Sequence, residues 1–133
     1  MIVVEIKTDS RYPVDRKRLR FSVEKTLQKH GFAGDVTVSV SVVGKRKMQV
    51  INKTYHEIDS PTDVLSFPYL DPQSKSSEER SFFTPPGQLI LGDLVVCYPV
   101  AVEQARKKQS LVDEEVDFLV EHGMEHLLGH HHD

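Results

Sequence analysis

The sequence predicts an α+β fold: a single domain over residues 1–133 in which a mixed, roughly four-stranded sheet is packed with helices. Strand-like and helix-like segments follow one another along the 133 residues without strict alternation. The clearest strand is residues 35–43, where apolar and polar side chains alternate. The clearest helix is the last one, which has an apolar stripe at helical spacing. That stripe consists of Val116, Leu119, Val120, Met124 and Leu127.

The first half of the chain predicts strand, helix, strand and helix. Residues 1–7 are rich in β-branched side chains and predict a strand. Asp15 predicts the start of a helix whose apolar residues recur at four-residue steps and which ends near Gly31. Gly44 ends the strand at 35–43, and helical spacing then predicts a short helix over residues 45–55.

The second half predicts two strands, a long loop and two helices. Residues 62–68 predict a strand that Pro68 ends. Residues 71–87 are rich in Ser, Pro and charged side chains and predict a long exposed loop. Residues 88–97 predict a strand interrupted at Gly92, where a bulge or another close group is expected. A helix over residues 99–109 precedes the last one.

Composition excludes several classes of protein. Hydrophobic residues make up 38% and charged residues 28% of the chain, as in soluble globular proteins. No apolar run approaches the roughly 20 residues of a membrane-spanning helix. The net charge of −3 does not by itself indicate nucleic-acid binding. The N-terminus does not resemble a signal peptide, and Cys97 is the single cysteine, so we expect a cytoplasmic protein without an internal disulfide.

The last dozen residues contain the pattern H-x-x-x-H-x-x-G-x-x-H. His122 and His126 lie one helical turn apart, with Cβ atoms about 5–6 Å apart, so both can reach one zinc ion at about 2.0–2.1 Å. Ser110 is expected to cap the start of this helix. Gly129 is expected to end it in a left-handed conformation, so that His132 turns back as the third ligand. Other transition metals also suit imidazole ligands.

Three histidine ligands leave an open position on zinc, and the water bound there has a pKa of about 7. The pattern therefore predicts a hydrolase. A fourth protein ligand would close the site and make it structural. The candidates for such a ligand are His130, His131, Asp133 and Cys97. His130 to His132 could also be the stub of a purification tag, but a tag would not supply His122 and His126 in register.

Glu125 has two interpretations. It lies about 60° from His122 on the helical wheel, on the side away from His126, and completes an H-x-x-E-H string. It would then be a general base at the metal. Alternatively, it is a solvated carboxylate on the flank of the helix. The ligand spacing also matches metzincin proteases, but the glutamate of that pattern is missing because residue 123 is Gly.

The tail and two internal stretches resemble the YbeY family of bacterial rRNA-maturation endoribonucleases. The family's tail H-G-x-L-H-L-L-G-Y-D-H aligns with His122, Gly123, His126, Leu127, Leu128, Gly129 and His132. Its L-N-x-x-Y-R and P-T-D-V-L-S-F-P stretches resemble Asn52, Tyr55 and residues 61–68. Its G-D-I and Q-A resemble Gly92-Asp93-Leu94 and Gln104-Ala105. The resemblance covers nearly the whole chain in order. It implies a single α+β domain, zinc on His122, His126 and His132, and cleavage of single-stranded RNA in the small ribosomal subunit, in the cytoplasm.

Three of the differences from the family pattern bear on the site. His56 stands where the family has an arginine thought to contact substrate, His131 replaces an aspartate, and Glu125 replaces a leucine. His56 and Glu125 are the candidate catalytic side chains. Arg46 and Lys47 open the helix that leads towards His56, so we expect them to contact RNA phosphates.

The first functional hypothesis is thus a metal-dependent, single-strand-specific endoribonuclease of ribosomal RNA. The alternatives are a small metalloprotease with metzincin-like spacing, and a non-catalytic, ribosome-associated module with structural zinc. Cleavage of RNA, of unfolded protein or of neither distinguishes the three.

Overall fold

The computed structural model describes residues 1–32, 34–69 and 89–129, which form one sheet and the helices around it. In chain order the elements are β1 (Ile2–Thr8), α1 (Arg16–Lys29), β2 (Val36–Val43), α2 (Lys45–His56), β3 (Val64–Pro68), β4 (Leu89–Cys97), α3 (Tyr98–Lys108) and α4 (Val112–Gly129). The loop expected at 71–87 lies outside the described residues. No helix within the described ranges is both long and apolar enough to span a membrane.

The strands lie in the order β1-β2-β4-β3. The first three are parallel, and β3 runs antiparallel to β4 at one edge. Parallel neighbours need long crossover connections, and α1 supplies the one between β1 and β2. The mixed four-stranded sheet confirms the α+β prediction, and each predicted element in the described ranges begins and ends within two residues of its expected bounds.

The two faces of the sheet are covered by different helices. Leu94 and Val96 belong to an apolar cluster under α1 and α4, whereas Val95 and Cys97 belong to a smaller cluster under α2. Successive residues of a strand point to opposite faces, so these clusters lie on opposite sides of β4. Met124 of α4 and Met48 of α2 are both fully buried, one in each cluster.

Gly92 lies at a bulge in β4, where the register with β2 shifts between Thr37 and Val38. Its φ is +151°, and a Cβ atom there would lie 2.3 Å from the carbonyl oxygen of Phe67 and 2.8 Å from Cδ1 of Leu127. Only glycine fits such an approach in this conformation. The prediction of a bulge or close approach at Gly92 is confirmed, and the approach brings α4 against the β3–β4 edge.

The start of α4 corrects one prediction. Its first residue is Val112, so Leu111 and not Ser110 precedes the helix. The backbone N–H of Leu111 donates to Oε1 of Glu114 at 3.2 Å, which satisfies a donor that the helix itself leaves unpaired. Oγ of Ser110 is buried without a hydrogen-bond partner among the described residues. The N-cap prediction for Ser110 is wrong because a glutamate within the first turn does the capping.

Two other predicted helix boundaries can be compared. Asp15 caps α1 as expected, because its carboxylate accepts a hydrogen bond from the backbone N–H of Arg18 at 3.2 Å. The helix α4 ends at Gly129 as expected. Gly129 itself has no positive φ, however, since it still belongs to the last helical turn. The left-handed conformation predicted for Gly129 is therefore wrong.

Candidate functional site

The outer face of α4 holds His122 and His126 next to each other. Their Nε2 atoms are 3.3 Å apart. The ring centroids are separated by 4.7 Å and the ring planes are inclined by 75°. Both side chains are exposed, so a ligand from solvent can reach the two nitrogens. The structure thus brings together two of the three histidines that the sequence analysis proposed as metal ligands.

The separation of the two nitrogens fits a shared cation. A tetrahedral zinc ion with bonds of about 2.0–2.1 Å holds two nitrogens about 3.3–3.4 Å apart. The observed 3.3 Å matches that edge. The same distance suits a hydrogen bond between the rings when one Nε2 carries a proton. The pair is therefore arranged to share either a proton or a metal ion.

Gly123 allows the histidine-bearing helix to approach the sheet closely. A Cβ atom at this position would lie 3.0 Å from Cδ2 of Leu94 and 3.1 Å from Cγ2 of Val64. Glycine inside a helix costs about 1 kcal/mol relative to alanine. The close packing against β3 and β4 gives a physical reason for a glycine directly after His122, because it sets the distance from the histidine pair to the strand.

The proposed third ligand, His132, lies outside the described residues, as do His130, His131 and Asp133. Within the described ranges no three potential metal-binding side chains cluster. Cys97 is buried beside Met48 on the α2 side of the sheet, opposite α4. Burial also raises the pKa of its thiol, which disfavours the thiolate that binds metals. Cys97 is therefore not placed to be a fourth ligand.

Glu125 is held by α1. Its Oε2 lies 2.7 Å from Nε2 of His30, and its Oε1 accepts a hydrogen bond from Nζ of Lys29 at 3.5 Å. Burial acts to raise the pKa of the Glu125 carboxyl, but the hydrogen bond from His30 and the charges of His30 and Lys29 lower it. The structure gives this carboxylate an inter-helix contact, and its role as a general base stays a prediction.

Phe118 is a site residue that the sequence analysis missed. Its ring lies nearly parallel to that of His122, with centroids 6.0 Å apart and planes inclined by 13°. Nζ of Lys108 lies 4.1 Å from the centre of the Phe118 ring and donates to both carboxylate oxygens of Glu115, at 2.7 and 2.9 Å. Glu115 is buried, so this series of contacts runs from the core to the histidine pair. Its position one helical turn before His122 could have indicated this contact from the sequence.

His56 lies at the end of α2, facing β3. Its ring stacks on Phe67 with centroids 5.9 Å apart, and Tyr55 makes an edge contact with the same ring at 5.2 Å. His56 and Tyr55 are exposed. Phe67 packs with the cluster under α2, whereas Val64, three residues earlier, packs with the opposite cluster and approaches Gly123. His56 and the histidine pair therefore lie on opposite faces of the sheet, with only the edge strand β3 between them.

Arg46 and Lys47 lie in the first turn of α2, at the opposite end from His56. Both are exposed, and neither pairs with a carboxylate in the described part of the chain, whereas the preceding Lys45 pairs with Glu103. They are available to anions from solvent. Their contacts with RNA stay a prediction.

Polar residues from the motif stretches fix the start of β3. Nδ2 of Asn52 donates to the carbonyl oxygen of Ser60 at 2.9 Å. Nε2 of Gln104 donates to Oδ2 of Asp63 at 3.2 Å, and the backbone N–H of Val64 donates to Oδ1 of Asp63 at 2.7 Å. These bonds tie the loop before β3 to both α2 and α3. These residues therefore hold the start of β3 in place.

Comparison with known proteins extends these motif matches to almost the whole chain. The sequence model of a family described as Endoribonuclease YbeY matches residues 5–133. The Endoribonuclease YbeY of Moorella thermoacetica is 36% identical over 126 residues, which cover 92% of this chain and 78% of the relative. The protein of the same name from Roseiflexus castenholzii is 33% identical over 135 residues, which cover 99% and 80%.

A solved structure has a similar fold. The solution structure of a Thermotoga maritima protein superimposes with a TM-score of 0.57 at 25% sequence identity. The superposition covers 96% of this chain and 71% of the other. The similarity therefore includes the sheet and the helix that carries the histidine pair.

Proposed function

The chain belongs to the YbeY family of endoribonucleases, and from that premise we propose that it cleaves single-stranded RNA at the histidine pair of α4. We place its substrate in the ribosomal RNA of the small subunit, during maturation and quality control in the cytoplasm, because the family resemblance implies that role.

The observation that supports a metal-dependent mechanism is the 3.3 Å separation of the Nε2 atoms of His122 and His126. These two imidazoles would hold one zinc ion, with His132 as the third ligand. When bound, the ion supplies Lewis acidity towards water and the phosphodiester under attack. Another transition metal that prefers imidazole could take the same place.

The surrounding residues orient the ligands and the RNA. Gly123 and Phe118 fix the position of the His122 ring relative to β3. On the other side of β3, the exposed ring of His56 stacks on Phe67 and can contact a base or a phosphate of the substrate. A neutral imidazole binds phosphate less strongly than a guanidinium does. The negative charge of the RNA phosphates must therefore be balanced mainly by other basic side chains of α2, such as Arg46 and Lys47.

The two alternatives have less support. The metalloprotease hypothesis relied on the metzincin-like spacing and on Glu125. The glutamate of that spacing is replaced by Gly123, and the carboxylate of Glu125 contacts His30 and Lys29. The structural-zinc hypothesis needs a fourth protein ligand. Of the candidates, Cys97 lies on the other side of the sheet, and His130, His131 and Asp133 lie outside the described residues. Family membership favours RNA over protein as substrate.

The test measures cleavage of three substrates by the wild type and by a variant of the site. Metal-loaded protein is incubated with single-stranded RNA, with a duplex of the same sequence and with an unfolded protein. We expect cleavage of the single strand, little of the duplex and none of the protein. His126→Ala is the control, because contaminating ribonuclease would persist in that preparation. Equal RNA cleavage by the variant, or cleavage of the protein, would refute the proposal.

A further inference from the structure

A cavity of about 380 Å³ opens at the carboxyl ends of β1 and β2, beside the start of α2. Its volume corresponds to about a dozen water molecules. The residues that line it come from β1, the loop after it, β2 and α2. They are Lys7, Thr8, Asp9, Arg11, Ser41, Val42, Val43, Gly44 and Lys47. Neither Lys7 nor Arg11 was among the predicted functional residues.

The cavity is positively charged. Three cations and one carboxylate line it, so the net charge of the lining is +2. The carboxylate of Asp9 is occupied, because Nε and Nη2 of Arg11 donate to its two oxygens at 3.1 and 2.9 Å. These hydrogen bonds lower the pKa of the Asp9 carboxyl, so it remains ionised. Arg11 keeps three further N–H donors, and no carboxylate of the described ranges pairs with Lys7 or Lys47.

The lining cations Lys7, Arg11 and Lys47 carry like charges, and only Arg11 pairs with a carboxylate among the described residues. Like charges repel one another, and the first turn of a helix favours acidic rather than basic side chains by about 0.3–1 kcal/mol each. The first turn of α2 contains no acidic residue. An anion in the cavity would remove the repulsion. The hydroxyl of Ser41 and the remaining N–H groups of Arg11 provide hydrogen-bond donors for anionic oxygens. The hydroxyl of Thr8 already donates to the carbonyl oxygen of Asp9 at 3.2 Å.

We propose that this cavity binds a backbone phosphate of the RNA substrate, several nucleotides away from the bond that is cleaved. The inference rests on the proposed RNA-cleaving function. Lys47 precedes His56 by nine residues, which is about 14 Å along the axis of α2. A stacked single strand covers that distance with about four nucleotides. The helix α2 would then carry the strand from the cavity at its start to His56 at its end, as basic grooves do in other single-strand-binding proteins.

The length of the RNA provides the test. An oligonucleotide of about four residues can be cut at the histidine pair without reaching the cavity, whereas one of about twelve can reach both. Lys7→Ala should raise KM for the longer RNA about three- to tenfold, and by less than about twofold for the shorter one. Lys107→Ala is the charge-matched control, since Lys107 is exposed on α3 and does not line the cavity. Equal changes in both variants, or for both lengths, would overturn the proposal.

A binding measurement separates this site from the catalytic one. In a His126→Ala background, adding Lys7→Ala should reduce the slope of log affinity against log salt by about 0.7 for the longer RNA. Thermal unfolding of each variant checks that it folds. If the wild type cleaves RNA but the slope stays the same, the cavity assignment is wrong. If the slope falls but the wild type cuts no RNA, the proposed cleavage is wrong and the cavity assignment stands.

A third experiment determines whether the cavity binds a phosphate of RNA or a free phosphate compound. Inorganic phosphate is titrated into the wild type and into Lys7→Ala. A cavity that serves a free phosphate compound would bind inorganic phosphate in a Lys7-dependent way, while KM for the longer RNA stayed unchanged. That result would overturn the assignment to RNA.

Discussion

The two faces of the sheet differ in how firmly their helices are held. On one face, α4 packs against α1, β3 and β4, and Met124 and Leu127 are fully buried. On the other face, α2 covers a smaller cluster around Met48, and it leaves Val50 58% and Tyr55 66% exposed. The histidine pair lies on the firmly packed helix, and the proposed RNA contacts lie on the other.

The difference matches the precision that each proposed task needs. Metal ligands must be held to within about 0.5 Å, so they belong on an element whose packing fixes its position. Contacts with a single strand tolerate small displacements, because charge attraction and base stacking vary gradually with distance. We therefore expect substitutions on the α4 face to affect stability and metal binding, and those on the α2 face to affect RNA binding.

The largest effect is expected where α4 meets the sheet edge. Gly92→Ala places a Cβ atom 2.3 Å from a backbone oxygen at a positive φ, so the free energy of unfolding should fall by more than about 3 kcal/mol. The control is Gly31→Ala, which has φ +80° but nothing within 4 Å, and should cost about 1–2 kcal/mol. Chemical denaturation measures both. Equal losses would show that the close approach to β3 is not essential.

A matched pair of methionines compares the two faces directly. Met124→Ala should lower the free energy of unfolding by about 3–5 kcal/mol, and Met48→Ala by about 2–3 kcal/mol, because the smaller cluster can collapse further into the space left. Both side chains are fully buried. Met48→Ala should also weaken RNA binding without loss of metal. If Met48→Ala loses metal and Met124→Ala does not, the assignment of tasks to the two faces is reversed.

Phe118 tests whether the histidine pair depends on its neighbours. Phe118→Leu removes the ring that stacks on His122 and that Lys108 covers, so metal affinity should fall about tenfold while the fold persists. Competition with a chelator measures the affinity. Phe21→Leu, an exposed phenylalanine on α1, is the control and should leave the affinity unchanged. An unchanged affinity in Phe118→Leu would mean that the stacking does not orient His122.

The smallest effect is expected at Glu125. Glu125→Gln should cost less than about 1 kcal/mol of stability, since its contacts with His30 and Lys29 are partly exposed. If Glu125 is a carboxylate on the flank of the helix, the kcat of Glu125→Gln should stay within about twofold of the wild type. Glu121→Gln, which breaks a similar contact with Lys25, is the control. A large loss of kcat at unchanged stability would instead establish Glu125 as the general base.

Local patterns predicted the elements because strand alternation, helical spacing and glycine at a bulge are properties of neighbouring residues. The pairing of His122 with His126 was predictable for the same reason, since both lie on one helix. The contact of Glu125 with His30 was not predictable, because it joins α4 to the residue that follows α1, far away in the sequence. The cavity that joins Lys7 to Lys47 depends on the parallel pairing of β1 with β2, which the sequence alone does not specify.

The central claim, that the histidines at the end of the chain hold a metal ion, is tested most directly by measuring bound metal in the wild type and in His126→Ala. Elemental analysis of the purified proteins should find one transition metal ion per wild-type chain, and almost none in the variant. His126 is exposed, so the variant should remain folded. A wild-type chain that binds no metal, or a folded variant that keeps a full equivalent, would contradict the claim.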